Sequence, residues 1–312
     1  MIERSSFTVR EIRRDDLDAA ARLLLLTSAT GVQHGIEVQL GAAASRERGA
    51  AFVAERDMEV IGAALLSSDP FFPSWVTTLV AVAEHARGAG VGAALAKELG
   101  KRLSRETLPA SCQIRDDLFE GRRFAEDRGF VLLYHSVGWS YDLAAQDERT
   151  LEAAARQAAE RAGVRVRAAD LPREFDMVAE CGTRAMAGLP GDQAGDPDQA
   201  RSHFPPDAIV LLAERVVQGA SAAPRAIGLT IIAAQVEQGA WYTMFMAVDP
   251  DFRRGGVARA LKTETFARAR RAGALSVLTH NHETNEPIIK LNQSVGMRPA
   301  LGYWAMRRPP SA

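Results

Sequence analysis

Two short segments of this 312-residue chain carry residues suited to holding an anion. One reads Val82-Ala-Glu-His-Ala-Arg87-Gly88-Ala89-Gly90-Val91-Gly92, the other Val248-Asp-Pro-Asp-Phe-Arg253-Arg254-Gly255-Gly256-Val257-Ala258. Both fit Arg-x-x-Gly-x-small, with an apolar strand-like run before and a helix-like run after. The first turn of a helix has unpaired N–H groups and the positive end of the helix dipole, which together suit a phosphate. Glycines let the backbone turn sharply and approach the anion. Arg87 and Arg253 are expected to add charge-assisted donors. A dinucleotide fingerprint fits Gly88-Ala-Gly90-Val-Gly92-Ala93 as well, but the second segment has no Gly-x-Gly, and two strands precede the first.

The segments belong to a repeat. Val82/Val248, Arg87/Arg253, Gly90/Gly256, Gly92/Ala258 and Leu95/Leu261 match at one constant offset, and Arg128-Gly129-Phe130 answers Val295-Gly296-Met297 one residue later. The openings also correspond, Val9-Arg10 running into Asp16-Leu17 and Val166-Arg167 into Glu174-Phe175. We therefore expect two domains, 1–145 and 146–312, with Asp147 capping a helix that ends near Ala162. Each copy reads as strand (Phe7–Ile12; Val164–Ala168), helix (Leu17–Leu26; Phe175–Ala187) and two strands (Ala50–Glu55, Val60–Leu66; Ile209–Glu214, Ala226–Ala234). A strand then leads into the glycine loop (Trp75–Val82; Ala240–Val248), followed by a helix (Gly90–Leu103; Gly256–Ala272) and a strand (Ser111–Arg115; Ser276–His280). A last helix (Glu120–Asp127; Glu286–Ser294) and a closing strand (Phe130–Tyr141; Tyr303–Arg307) complete the copy. The fold class is α/β, each copy a mixed, mostly antiparallel sheet flanked by helices. The second copy gains a long loop over Gly188–Pro206, where Asp192, Asp196 and Asp198 suit a cationic amine.

The totals narrow the function. A formal net charge of -1 argues against a nucleic-acid partner gripped through its phosphates. Two cysteines provide neither a disulfide framework nor a four-ligand zinc site, so no metal is expected. No apolar run is long enough for a membrane span, and Met1–Arg10 lacks the apolar core of a signal peptide, so a cytoplasmic setting is expected. The preference for Arg over Lys, with abundant Ala, suggests a GC-rich bacterial genome.

Arg-x-x-Gly-x-Gly/Ala after a strand ending in Val-x-Pro resembles the acetyl-CoA signature of the GNAT superfamily of N-acetyltransferases. Asn281-His-Glu-Thr-Asn285 through Asn292 to Gly296-Met297 resembles the next motif of that family, and the two-domain layout resembles the mycothiol synthase-like tandem acetyltransferases. The resemblance implies acetyl-CoA as co-substrate. Its pantetheine arm would lie along Val80–Val82 or Met246–Val248, and its pyrophosphate on the amides of Arg87–Gly92 or Arg253–Ala258. Asn285 and Asn292 would also touch it. The N–H near Val248 would polarise the thioester, and a small-molecule primary amine would attack directly. The family often places a tyrosine acid on the last helix; Asn292 fills that slot, so Tyr303 is the expected substitute. Tyr242, His280 and His282 are the titratable groups expected nearby, and His280 is the expected base on pKa grounds. The first copy carries Leu118 and Ala125 opposite Asn285 and Asn292, so it reads as cofactor-binding with catalysis assigned to the second copy. A non-catalytic acyl-CoA binder is the alternative.

Overall fold

The computed structural model describes residues 6–28, 30–45, 49–68, 74–186, 204–215, 225–235 and 239–310. The acidic stretch with Asp192, Asp196 and Asp198 lies outside them. Met1–Ser136 and Leu301–Ala312 fall in one compact unit, Val137–Gln193 and Pro205–Ala300 in the other.

In the first unit, β1 (Thr8–Glu11), β2 (Ala50–Arg56), β3 (Glu59–Ser68), β4 (Val76–Val82) and β5 (Ala110–Arg115) run in sequence order across the sheet. The β2–β3 hairpin turns through Asp57 and Met58, both left-handed (φ 52 and 64), as a two-residue primed turn requires. Strand β3 is apolar on both faces because both are covered. Helices α1 (Leu17–Leu25) and α2 (Gln33–Ala44) bury Leu24, Ile36 and Leu40 on one side. Helix α3 (Val91–Leu103) buries Val91, Leu95 and Leu99 on the other. Helix α4 (Phe119–Glu126) follows β5.

The second unit repeats this plan. Strands β7 (Val164–Ala168), β8 (Ile209–Arg215), β9 (Ala226–Ala234), β10 (Ala240–Val248) and β11 (Ser276–His282) lie side by side in that order. Helices α6 (Leu171–Met186), α7 (Val257–Arg271) and α8 (Glu286–Ser294) accompany them. Helix α5 (Glu148–Ala162), capped by Asp147 accepting from the Thr150 amide at 2.9 Å, packs along α7. One ion-pair brace recurs in both units. Arg10 holds Asp16 at 2.6 Å and Glu55 at 2.5 Å, and Arg167 holds Glu174 at 2.7 Å and Glu214 at 2.6 Å.

The closing strands depart from expectation. Strand β12 (Arg298–Arg308) places Tyr303–Arg308 antiparallel to β5, with Tyr303 opposite Arg115 and Arg308 opposite Ala110. The chain's last strand thus completes the sheet of the first unit. Strand β6 (Val131–Asp142) lies beside β11, and its Val137–Asp142 half belongs to the second unit. A boundary at residue 145 therefore puts Val137–Asp142 of β6 and Leu301–Arg308 of β12 in the wrong unit, because strand pairing is decided by edges that are distant in sequence.

Candidate functional site

In each unit two parallel strands pair briefly and then part. β4 and β5 pair only at Val76/Ala110 and Thr77/Ser111, yet continue to Val82 and Arg115. β10 and β11 pair at Ala240/Ser276, Trp241/Val277 and Tyr242/Leu278, then run on to Val248 and His282. Beyond the last rung, facing backbone groups lack each other as partners, and an extended ligand can bond them as an added strand would. Val80, Val82, Met246 and Val248 all lie in these parted stretches. A register shift between Thr243 and Phe245 accompanies the parting of β10.

Each parted strand feeds a loop of the same backbone shape. After a short 3-10 turn (Glu84–Ala86; Pro250–Phe252), Arg87 has φ -66 and ψ 154, and Arg253 has φ -65 and ψ 158. Left-handed Gly90 (φ 86) and Gly256 (φ 85) then precede α3 and α7 with no side-chain cap. A Cβ on Gly88 or Gly90 would meet nothing within 4 Å, so their positive φ, and not crowding, selects glycine there. Arg254, at φ 63, takes the position of left-handed Gly88, a conformation that costs a side chain about 1 kcal/mol. No side-chain cap bonds the first-turn amides of α3 or α7. The arginines differ from expectation. Arg253 donates to the carbonyls of Val248 and Ala185, each at 3.0 Å, and Arg87 to that of Val82 at 3.3 Å. They knot the loop to its strand because the strand-end carbonyls lie within reach of the guanidinium.

Tyr242 and His280 come together at the parting point, Tyr242 on the last rung and His280 two residues past it. The tyrosine oxygen lies 3.2 Å from His280 Nδ1. Trp241 and Val277, which neighbour this rung, pack in the core that contains Phe266 of α7. Strand alternation sends Tyr242 and His280 to the opposite face. His282 instead serves its own turn, its Nδ1 accepting from the Thr284 amide at 3.1 Å.

Two expected site residues are corrected. Tyr303 stands in the first unit on β12, its hydroxyl bonded to Ser136 and Tyr134 and its pKa raised by burial. The strand that carries it pairs with β5 of the first unit and not with β10 or β11. Asn292 is fully buried and both ends of its amide are engaged. Its Oδ1 accepts from Lys262 Nζ at 2.7 Å, and its Nδ2 donates to Asn281 Oδ1 at 2.6 Å. Asn292 is thus a fully buried internal bridge between Lys262 and Asn281. Asn285 begins α8, half-buried and without a side-chain cap bond.

Lys262 was missed, and Asn281 opens the second motif without having been given a role. Lys262 is 2% exposed, and burial pushes its ammonium pKa down to about 7. A lysine inside a helix ordinarily reads as a solvent-facing position. The available signal was its place directly after Leu261 on the face that packs against the sheet.

Counted from the last rung, Thr77 and Gln113 in the first unit stand where Tyr242 and His280 stand in the second. Ile114 likewise answers Asn281, and through the repeat Ala96 and Ala125 answer Lys262 and Asn292. Ala96, Ile114 and Ala125, with Leu79, Val80 and Phe124, line a cavity of about 540 Å³ between β4, β5, α3 and α4. Among the described residues no group of three or more His, Cys, Asp or Glu side chains is arranged to hold a metal, and no helix is long and apolar enough to cross a membrane.

Comparison with known proteins agrees with the repeat. The family model described as acetyltransferase (GNAT) matches twice, over residues 19–130 and 194–297. No curated protein matches the chain. Among solved structures it resembles a GCN5-related N-acetyltransferase from Sphaerobacter thermophilus, at 17% identity and a TM-score of 0.65, covering 100% of this chain and 98% of that one. It also resembles a tandem GNAT protein from the clavulanic acid biosynthesis pathway, at 15% identity and a TM-score of 0.68, covering 98% and 99%. A putative acetyltransferase from Pyrococcus horikoshii aligns at 12% identity and a TM-score of 0.59, covering 98% and 90%. At such identities these likenesses speak for the fold.

Proposed function

Since the chain belongs to the acetyltransferase (GNAT) family, whose chemistry is acyl-CoA-dependent acetyl transfer, we propose that it acetylates the primary amine of a small molecule in its second unit. The observation that carries this reading is the His280–Tyr242 pair at the point where β10 and β11 part. The glycine loops fit a pyrophosphate, because left-handed Gly90 and Gly256 lead into uncapped helix starts; a Cβ would meet nothing within 4 Å at Gly90 and Ala162 at 3.4 Å at Gly256. Acetyl-CoA, when bound, supplies the activated thioester; the rest falls to the chain.

The attacking amine forms a C–N bond to the thioester carbon, and the C–S bond breaks. His280 is suited to take the proton that the amine gives up, with Tyr242 holding the imidazole by its Nδ1. The departing thiolate takes a proton from solvent. Backbone N–H groups in the parted stretch Met246–Val248 stabilise the oxyanion. The first unit supports a second reading for itself, as a cofactor holder without turnover. Its groove is open, but Thr77 and Gln113 put no titratable pair at the parting point.

Calorimetric titration of acetyl-CoA into the unmodified chain, Gly90→Glu and Gly256→Glu tests the binding. A Glu in either loop places negative charge where the pyrophosphate is expected. We expect Gly256→Glu to lose one site together with acetylation of a panel of small amines. An unmodified chain that binds no acetyl-CoA would sink the proposal, and turnover that survives Gly256→Glu but not Gly90→Glu would move it to the first unit.

A further inference from the structure

A buried chain of side chains in the second unit has a built-in direction. As an ammonium Lys262 can only donate, and its Nζ donates to the carbonyl oxygen of Asn292 at 2.7 Å. Asn292 therefore presents its NH2 to Asn281, and Asn281 must turn its own oxygen inward to accept. Amide orientations are normally assigned from the surrounding network, and here the charged lysine leaves one choice. The end of the chain is the NH2 of Asn281, which has no partner among the described residues. It is not a buried orphan either: the only such atoms among the described residues are Ser67 Oγ and Trp139 Nε1.

Asn281 stands three residues past the last β10–β11 rung, on the opposite face of the strand from His280. The same position in the first unit is Ile114, which lines the open groove. The outward NH2 of Asn281 thus borders the groove of the second unit. Resting on the acyl-CoA reading above, we infer that Asn281 is a cofactor contact in the second unit, donating its side-chain NH2 to a carbonyl oxygen of the pantetheine–thioester arm. Lys262 and Asn292 are positioning residues that hold that donor outward. Neutral Lys262 has a lone pair that can accept from the Asn292 NH2, so it is the charged form that fixes this orientation. The first unit has Ala96, Ile114 and Ala125 at these positions, none of which carries a side-chain donor.

The test uses the full-length chain carrying Gly90→Glu, so that the second unit reports by itself, with acetyl-CoA, CoA and ADP titrated calorimetrically. Asn281→Asp keeps the acceptor for Asn292 and replaces the outward donor with a carboxylate oxygen. Acetyl-CoA affinity is expected to fall by roughly ten- to a hundredfold, the cost of an unmet and repelled partner. ADP, which reaches only the loop, is expected to bind as before. Asn281→Ser should shift affinity in the same direction, and Lys262→Met, which frees Asn292 to turn, by about three- to tenfold. Loss confined to acetyl-CoA assigns the donor to the thioester carbonyl, and equal loss with CoA assigns it to a pantetheine amide; both support the inference. Unchanged acetyl-CoA affinity in Asn281→Asp overturns it, as does a parallel loss of ADP, which would mark collapse of the site. A Gly90→Glu chain that binds nothing, while the unmodified chain binds, also overturns it and leaves acyl-CoA binding intact. An unmodified chain that binds nothing is the failure of the underlying reading instead.

Discussion

The two grooves share a backbone and differ in lining. Their loop dihedrals agree to within a few degrees at Arg87 and Arg253, and again at Gly90 and Gly256. The arginine-to-strand knot and the brace through Arg10 or Arg167 are repeated as well. The side chains beyond the last rung are not. The first groove has Ala96, Ile114 and Ala125 on one face and Thr77 and Gln113 on the other; the second has Lys262, Asn281 and Asn292, then Tyr242 and His280. A phosphate held by main-chain N–H groups tolerates sequence drift as long as φ stays positive at the glycine. Proton transfer depends on particular side chains. Duplicated domains can therefore keep a cofactor loop while their catalytic capacities diverge.

The largest expected effect separates the two acceptor faces. His280→Ala should lower kcat by about a hundred- to ten-thousandfold, the usual contribution of a general base. Gln113→Ala at the matching position should leave kcat within about twofold, and equal losses in steady-state rates would erase the distinction. Lys262→Met tests the cofactor faces through stability. The folded-state pKa of Lys262, about 7, lies below the unfolded value of a lysine. Folding therefore releases its proton between these values, and its destabilising effect grows as pH falls from above 10 toward 7. Urea unfolding of the unmodified chain should lose about 3 kcal/mol more than Lys262→Met between pH 10 and pH 7.5. Parallel curves for the two proteins would mean that Lys262 titrates as if exposed.

Tyr242→Phe keeps the ring and removes the oxygen that meets His280. We expect a three- to tenfold fall in kcat, about 1 kcal/mol, with acetyl-CoA affinity unchanged. An unaffected kcat would leave His280 acting without its phenol neighbour. The smallest effect compares the loops themselves. Arg254→Gly relieves a left-handed side chain and should stabilise by less than about 1 kcal/mol, because glycine also gains freedom in the unfolded chain. Gly88→Ala should destabilise by a similar amount, and thermal melts that moved the other way would show that the matched dihedrals are not matched in energy.

Much of this was legible in the sequence, and the limits have physical causes. The loops were visible because glycine spacing reports backbone conformation directly. Asp147 was legible as a cap because capping is local. Helix α2 was not expected, since Gly35 and Gly41 lower its helix propensity and its apolar stripe is weak. The partners of β6 and β12 were hidden because an edge cannot be read from the strand that joins it. Lys262 was hidden for a different reason: burial of a charged type is set by its neighbours in space, and here those are Asn292 and Met297.

The placement of β12 also bears on biosynthesis. Domains usually fold as units while they emerge, N-terminal first. Here the first unit leaves the ribosome without the strand that pairs with β5. Until Leu301–Arg308 have been made, β5 presents the hydrogen-bonding edge that β12 later covers, open to any passing strand. The earliest part of the chain to be synthesised is thus among the last to be finished, and the second unit must be translated before the first can close.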